Sequence, residues 1–562
     1  MPRNETPTTP GVLVVGPVDK VRPTDQLTGD PTPPRVDLLA ARNEFVSFQV
    51  VIQAGLSELP DVDVAVGAPL SGSAGALPAE AITIYREEYY EVREPSDREG
   101  APGLWPDILI PRTDPWFGQD RSAFPITVPA GQNRVAWVDV LVPQEAMPGA
   151  YHGTLAVTGA GFTADVAVEL TVIDAELPST STLTTAFGLG YESVCRAAFG
   201  DTCYNAGQNG WQLNALLCRI ALENRITICR PNYDALTPGN VAPFEQHVLP
   251  LLNGTAPTRL PGARLTSIQV EPTQLATWQA AAQRHGFADR AFLYACDEPG
   301  TDCSSWADCR QNAAAAQTWP ELPVLVTASI DQLDGSQCDP PDLGRDAFVN
   351  WLVVLVNLMH EKGGPSRRDD YNAFLGLNPR NQLWLYTSCM SHGCEPDTAI
   401  EKDCQQDPAP APAAPDPPDV FDGWPGYVID QPGAQARAMG WFAYRYQAQG
   451  ELYFDVGHCL PTAWTAQYAF GGNGDGTLFY PGDPSRIAGS DWIPLESMRL
   501  KLIRDGHQDY EYLRLAAAVS PAGADSIANT LFPRMDDTDA TGGDILAARH
   551  ALAKLIDPAR AL

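Results

Sequence analysis

The chain has 562 residues, 44% hydrophobic and 19% charged, and its 69 Asp and Glu against 37 Lys and Arg leave a formal net charge of −32. That length exceeds one ordinary core and predicts two or three domains. The acidity excludes a nucleic-acid partner, which needs clustered Lys and Arg, and no run reaches the roughly 18 apolar residues of a membrane span.

Up to about Pro178 the pattern has period two. Val46, Phe48, Val50 and Ile52 alternate with Ser47, Gln49 and Gln53, and Val166, Val168, Leu170 and Val172 alternate with Asp165, Glu169 and Thr171. Strands with one buried face, separated by Pro- and Gly-rich turns, predict an N-terminal antiparallel β-sandwich over 1–178. The stretch from Arg93 to Gly118, with Trp105, Asp107 and Trp116, reads as a long loop packing on the next domain.

From 179 to 493 strands alternate with helical segments. Candidate strands are Thr184 to Gly190, Ile226 to Arg230, Ser267 to Glu271, Ala291 to Asp297, Val324 to Ala328, Phe348 to Val356, Leu383 to Thr387 and Leu452 to Val456. Eight strands with intervening helices predict a (β/α)8 TIM-like barrel. A long insertion, 389–432, carries a stiff Pro-rich run from Pro408 to Pro418. Residues 494–562 predict a C-terminal helical extension packed on the barrel, capped by Ser497, with its charged residues forming a solvated face.

The stretch Phe292 to Pro299, FLYACDEP, is the fourth candidate strand. Its apolar run stops at Asp297 and Glu298, and Pro299 prevents the ladder from continuing. Two carboxylates at the C-terminal tip of a barrel strand stand where such folds keep their chemistry. The same tripeptide would also serve as a plain turn opening a helix, since Asp caps helices and Pro tolerates their first turn.

Twelve cysteines, all between 195 and 459, include four close pairs: Cys195 and Cys203, Cys218 and Cys229, Cys303 and Cys309, Cys389 and Cys394. Cys296, Cys338, Cys404 and Cys459 have no local mate, and spacing alone leaves the pairing open. Disulfides imply an oxidising, secreted or periplasmic setting; the polar start of the chain shows no signal segment. No C-x-x-C doublet or His pair stands at ligand spacing, so no metal and no other cofactor is expected.

Several stretches together resemble one family: LYACDEP, WLYTS (Trp384 to Ser388), ARAMGWFAYRYQAQGELYF (Ala436 to Phe454), GDGTLFYPG (Gly474 to Gly482) and ESMRLKLIRDGHQDYEYL (Glu496 to Leu513). With ARNEFVSFQVVI and GLWPDILIP in the first part, they look like proteins carrying the domain of unknown function 4091, relatives of the catalytic domain of glycoside hydrolase family 123. The resemblance implies a β-sandwich on a (β/α) barrel and an Asp-Glu pair acting on β-linked N-acetylhexosamines, notably N-acetylgalactosamine. By position Asp297 would orient the substrate's 2-acetamido group and Glu298 would be the general acid/base. Phe454 departs from the resemblance, standing where many relatives have Trp, and the cysteines and the 389–432 insertion are peculiar to this chain.

Glycosidic cleavage needs a proton delivered to the leaving oxygen, and in a substrate-assisted route the acetamide oxygen attacks the anomeric carbon while a second carboxylate holds the acetamide nitrogen. Sugar rings also need flat apolar platforms and polar groups for hydroxyls. Trp384, Tyr386, Trp441, Tyr453, Asp455 and His458 are the candidates for a glycan substrate, with His360 and His392 on overhanging loops as weaker ones. The alternatives are a glycosidase with a separate nucleophile such as Glu271 or Asp455, acting on a glycan without the acetamide, and a non-catalytic carbohydrate-binding protein. Exo or endo action and the oligomeric state are not legible.

Overall fold

The computed structural model describes residues 8–27, 33–73, 75–205, 207–389, 404 and 422–560. The first part holds strands β1 (Gly11–Val15), β2 (Arg35–Arg42), β3 (Glu44–Gln53), β4 (Leu59–Gly72), β5 (Gly75–Ala76), β6 (Ile82–Val92), β7 (Gly103–Pro111), β8 (Ile126–Val128), β9 (Asn133–Val142), β10 (Gly149–Gly159) and β11 (Phe162–Glu176). They form two sheets: one runs β1-β3-β9-β6-β7, the other β2-β11-β10-β4-β5 with β8 beside β4. All pairings are antiparallel except β2 with β11. Val46, Phe48, Val50 and Ile52 of one sheet share an apolar core with Leu155, Val157, Val166 and Val168 of the other. The alternation predicted from the sequence sets this shared core.

Two expectations fail here. The stretch read as a long loop contains a strand, since β7 pairs along β6 from Tyr85↔Pro111 to Val92↔Gly103. And β3 is buried at every position, not on one face. Its second face, with Phe45 and Ser47, lies against the C-terminal helices, so polar spacing there marks an interface rather than solvent.

The second part is a parallel sheet of seven strands: β12 (Thr184–Phe187), β13 (Ile268–Gln269), β14 (Ala291–Cys296), β15 (Val324–Thr327), β16 (Trp351–Leu355), β17 (Gln382–Tyr386) and β18 (Gly450–Tyr453), ordered β12-β18-β17-β16-β15-β14-β13. The segment Ile226 to Arg230, expected as a strand, is reduced to a single bridge, Phe187↔Ile228. Its backbone still spans the gap between the sheet edges: Cys229 N donates to Phe187 O at 2.9 Å, and Gln269 N donates to Cys229 O at 2.9 Å. The result is a nearly closed barrel of seven strands, with irregular chain between its two edge strands.

Of the helices among the described residues, α1 (Gly433–Arg445) lies between β17 and β18, and α2 (Met498–Val519), α3 (Pro521–Leu531) and α4 (Gly542–Ile556) follow the parallel sheet. Ser497 caps α2 as predicted, accepting from Leu500 N at 3.1 Å. The predicted solvated face of α2 is overturned: Arg499, Lys501, Arg504, Asp505, His507, Gln508, Asp509 and Glu511 are all buried. Several of them meet charges of opposite sign from elsewhere. Arg499 pairs with Asp107 of β7 at 2.7 Å, Arg504 with Asp139 of β9 at 2.8 Å, and Asp509 with Arg437 of α1 at 2.6 Å. Helix periodicity cannot distinguish a solvated charge from one that a distant sheet neutralises. No helix among the described residues is long and apolar enough to cross a membrane.

The cysteine pairs are partly other than the spacing suggested. Cys195–Cys203 is bridged, but Cys303 joins Cys338 rather than Cys309, and Cys309 joins Cys296. Cys404 joins Cys459, while Cys218 and Cys229 are buried free thiols. Cys394 and His392 lie outside the described residues.

Candidate active site

The tip of β14 is shaped by its own irregularity. Its register with β15 slips between Tyr294 and Cys296, so Ala295 is an extra residue. Bulges re-aim the residues that follow and leave a backbone group without its ladder partner. Asn312 Nδ2 donates to Ala295 O at 2.9 Å, and the Cys296–Cys309 bridge ties the strand end to the helix Cys303–Ala314. That helix is capped by Asp302, whose carboxylate accepts from Ser304 N and Ser305 N. Capping is therefore done five residues after Asp297, and the Asp-Glu pair is not used for it.

Asp297 and Glu298 are both exposed at the rim of a cavity of about 270 Å³ at the C-terminal strand ends. Glu298 has φ +40°, in the left-handed region that a non-glycine residue enters at a cost of ~1–3 kcal/mol. Thr327, at the end of β15, holds the turn: Glu298 N donates to its Oγ1 at 2.7 Å, and the same hydroxyl donates to Asp297 Oδ1 at 2.7 Å. Tyr294 OH donates to the same Asp297 oxygen at 2.7 Å, and Tyr386 OH donates to Glu298 Oε1 at 2.6 Å. The two adjacent carboxylates thus have separate partners, on β14 and β15 for Asp297 and on β17 for Glu298.

Of the residues singled out from the sequence, Tyr386 and Tyr453 line this cavity with the pair. Tyr453 is held by donating to Asp475 Oδ1 at 2.8 Å and accepting from Gly476 N at 2.7 Å. Burial pushes the Asp475 carboxyl up to about 6, against the hydrogen bonds from Tyr453 and the Cys389 amide. Trp384 is not at the cavity. It is fully buried in the barrel interior, stacked on Trp351 with centroids 4.7 Å apart, and Gly450 is required beside it because a Cβ there would approach its ring to 2.3 Å. Trp441 is also buried elsewhere, donating to Asp509 Oδ2 at 2.9 Å among the C-terminal helices.

Asp455 and His458 follow β18 but do not line the cavity. Asp455 accepts from Gly457 N at 2.7 Å, and burial raises its carboxyl. The His458 ring packs on Phe454 and Phe470. His360 is buried between Tyr446 OH and Gly364 O. Glu271 lies in an adjoining cavity, where Trp278 Nε1 donates to it. Sequence reasoning missed Thr327 and Tyr294, which hold Asp297, and Arg230 and Gln269, which line the cavity. The only signal for Thr327 was a polar residue ending an apolar strand beside the Asp-Glu strand.

Among solved structures the chain is similar to a family 123 glycoside hydrolase from Clostridium perfringens, studied for glycolipid glycan hydrolysis. The match has a TM-score of 0.65 at 12% identity and covers 98% of this chain and 97% of that one. At that identity the likeness shows a shared fold. A termite-gut GH10 xylanase containing a bacterial Ig-like domain aligns over 67% of this chain and 90% of its own, at 10% identity, but its TM-score of 0.25 carries no argument. No protein-family model matches the chain, and no curated protein matches it by sequence.

Proposed function

We propose that the protein is a retaining glycoside hydrolase cleaving β-linked N-acetylhexosaminides, with N-acetylgalactosaminides as the first candidates, through an oxazoline-type intermediate. We read the two N-terminal sheets as a β-sandwich and the parallel sheet as a (β/α)8-type barrel whose second strand is irregular. The observation that carries the function is the division of partners between neighbouring carboxylates. Asp297 Oδ1 is occupied by two hydroxyl donors, which orient the group and leave Oδ2 to accept from the acetamide N–H of a bound sugar. Glu298, turned the other way by its left-handed backbone, faces the leaving oxygen beside Tyr386.

In the first step the acetamide oxygen forms a bond to the anomeric carbon as the glycosidic C–O bond breaks, and Glu298 passes its proton to the departing oxygen. Asp297 stabilises the positive charge that spreads over the oxazolinium ring. In the second step Glu298 removes a proton from water, whose oxygen attacks the anomeric carbon from the face the leaving group vacated. The acetamide is restored and configuration is retained. Four disulfides among the described residues, Cys195–Cys203, Cys296–Cys309, Cys303–Cys338 and Cys404–Cys459, support an extracytoplasmic setting.

A panel of aryl β-glycosides tests this reading. Turnover is expected for 2-acetamido sugars and not for their 2-hydroxy counterparts, and Glu298→Gln is expected to lose most of the rate while still binding a thiazoline analogue. Equal turnover of 2-hydroxy sugars overturns substrate assistance. Absence of any hydrolysis in the parent, with glycan affinity intact, supports the carbohydrate-binding alternative.

A further inference from the structure

Three carboxylates outside the catalytic cavity converge where the N-terminal sheets meet the chain that enters α1. Asp97 and Glu99 lie on the loop between β6 and β7, and Asp422 lies ahead of α1. One oxygen of each stands within 4.8 Å of the oxygens of the other two, with Asp97 buried and Glu99 and Asp422 half-buried. Opposite oxygens around a calcium ion stand about 4.6–5.2 Å apart, so one ion spans this spacing. Among the described residues no Lys, Arg or His forms an ion pair with any of the three. Lys20, the buried cation that feels Asp97, donates to Ile429 O at 2.6 Å and is drawn more strongly to Asp107 and Asp430.

A second observation points to a ligand. Gln435, only 1% exposed, reaches into the cluster: its Nε2 donates to Glu99 Oε2 at 2.6 Å, while its Oε1 is buried with no hydrogen-bond partner among the described residues. Gln431, 4% exposed, does the same at Asp97, donating to Oδ2 at 2.6 Å and leaving its own Oε1 unpartnered. Asp422 Oδ1 is likewise buried without a partner. Orphaned buried acceptors are costly, and their concentration around a surplus of negative charge fits a cation. A half-turn of the Gln435 carboxamide exchanges its nitrogen for its oxygen, which supplies a further ligand. Gln435 lies in the first turn of α1, whose free amides favour one negative charge rather than three. The available donors are all hard oxygens with no nitrogen or sulfur among them, the set that calcium takes.

The backbone around the cluster is fixed. Asp97 Oδ1 accepts from Glu99 N at 2.8 Å and Gly100 N at 3.2 Å, and Glu99 Oε2 accepts from Gly423 N at 2.8 Å. Gly423, next to Asp422, has φ +80°, and a Cβ there would approach Asp536 O to 2.8 Å. On the other side Ser96 donates to Asp430 Oδ1 at 2.6 Å and accepts from Asn473 N at 2.8 Å. In the metal-free protein burial pushes the Asp97 carboxyl up to about 6, and repulsion from Asp97 and Asp422 adds to burial in raising that of Glu99. The expectation of no metal rested on Cys and His spacing, which carries no information on carboxylates brought together from separate segments.

We infer that Asp97, Glu99 and Asp422, with the carboxamide oxygen of Gln435, form a calcium site that clasps the β6–β7 loop to the segment entering α1. None of these residues lines the catalytic cavity, so the site stands apart from the glycosidase reading. The test strips the full chain with chelator and titrates it with calcium chloride, by calorimetry and by thermal unfolding. One ion per chain is expected, with a dissociation constant on the order of 10⁻⁴ M or tighter. Saturating calcium should raise the unfolding midpoint by about 2 °C or more. Glu99→Gln and Asp422→Asn should each weaken calcium binding at least about tenfold, yet unfold no earlier than the parent in chelator, because each removes one repelling charge. Asp422 is half-buried, so its variant tests the site even where Glu99→Gln fails to fold. No response to calcium up to about 5 mM would overturn the site. Undiminished affinity in both variants would place the ion elsewhere on this acidic chain and overturn it equally. Variants that lose the same stability with and without calcium would assign the carboxylates to the fold alone, and magnesium bound as tightly as calcium would overturn the choice of ion.

Discussion

Arg504 on α2 reaches Asp139 on β9 at 2.8 Å, with Lys501 on the same carboxylate at 3.1 Å, in a place sealed from solvent. Burial pushes the Asp139 carboxyl up, but the two cations outweigh it and hold it below the usual carboxylate range. Trp137 and Ser47 donate to it as well. Removing one partner of such a cluster leaves charge buried and unmatched. Asp139→Ala is expected to cost about 3–5 kcal/mol in urea unfolding, far more than an exposed pair such as Arg35 and Asp37 would. A loss under ~1 kcal/mol would mean that the interface does not depend on this cluster.

Thr327 holds Asp297 and the Glu298 backbone with one hydroxyl. Thr327→Val keeps the shape and deletes both hydrogen bonds, so kcat on an aryl N-acetylhexosaminide should fall about 10–100-fold with the melting temperature nearly unchanged. Thr327→Ser should restore most of the rate. Equal rates in the Val and Ser variants would show that the hydroxyl does not position the pair.

Trp384 separates packing from binding. Its indole is stacked on Trp351 inside the barrel, and Trp351 in turn meets Phe292 at 5.3 Å. Trp384→Ala should destabilise by about 3–5 kcal/mol through the cavity it leaves. Trp384→Phe should be milder and should leave KM unchanged at a temperature where both proteins are folded. A selective rise in KM for the Phe variant would return Trp384 to the substrate site.

Three buried acids set a pH dependence. Burial pushes Glu87 up to about 8, with repulsion from Asp107 adding to it, and pushes Asp97 and Asp475 up to about 6. Neither oxygen of Glu87 has a hydrogen-bond partner among the described residues. Each folded-state value lies above the unfolded one of roughly 4, so the native state binds more protons in that window. Their contribution is complete below about pH 4 and is lost as pH rises toward 8. The unfolding midpoint should therefore be lower at pH 8 than at pH 5, and Glu87→Gln should flatten the upper half of that decline. An unchanged slope in the Gln variant would remove Glu87 as its source.

The sequence by itself determined the periodicities and the position of the acidic pair. Alternation along β11, the break at Asp297-Glu298-Pro299 and the Ser497 cap are local, set by side-chain spacing and backbone chemistry, and each is found where it was read. Only the tertiary structure decided what those local features face. Trp384 and Tyr386 alternate identically on β17, yet two residues of height along the barrel put one in the packed interior and the other on Glu298. The charges of α2 look like a solvated face until β7 and β9 bring Asp107 and Asp139 to them across more than 360 residues of chain. Burial, charge pairing and cavity shape depend on which distant segments meet, and no window of neighbouring residues contains that information.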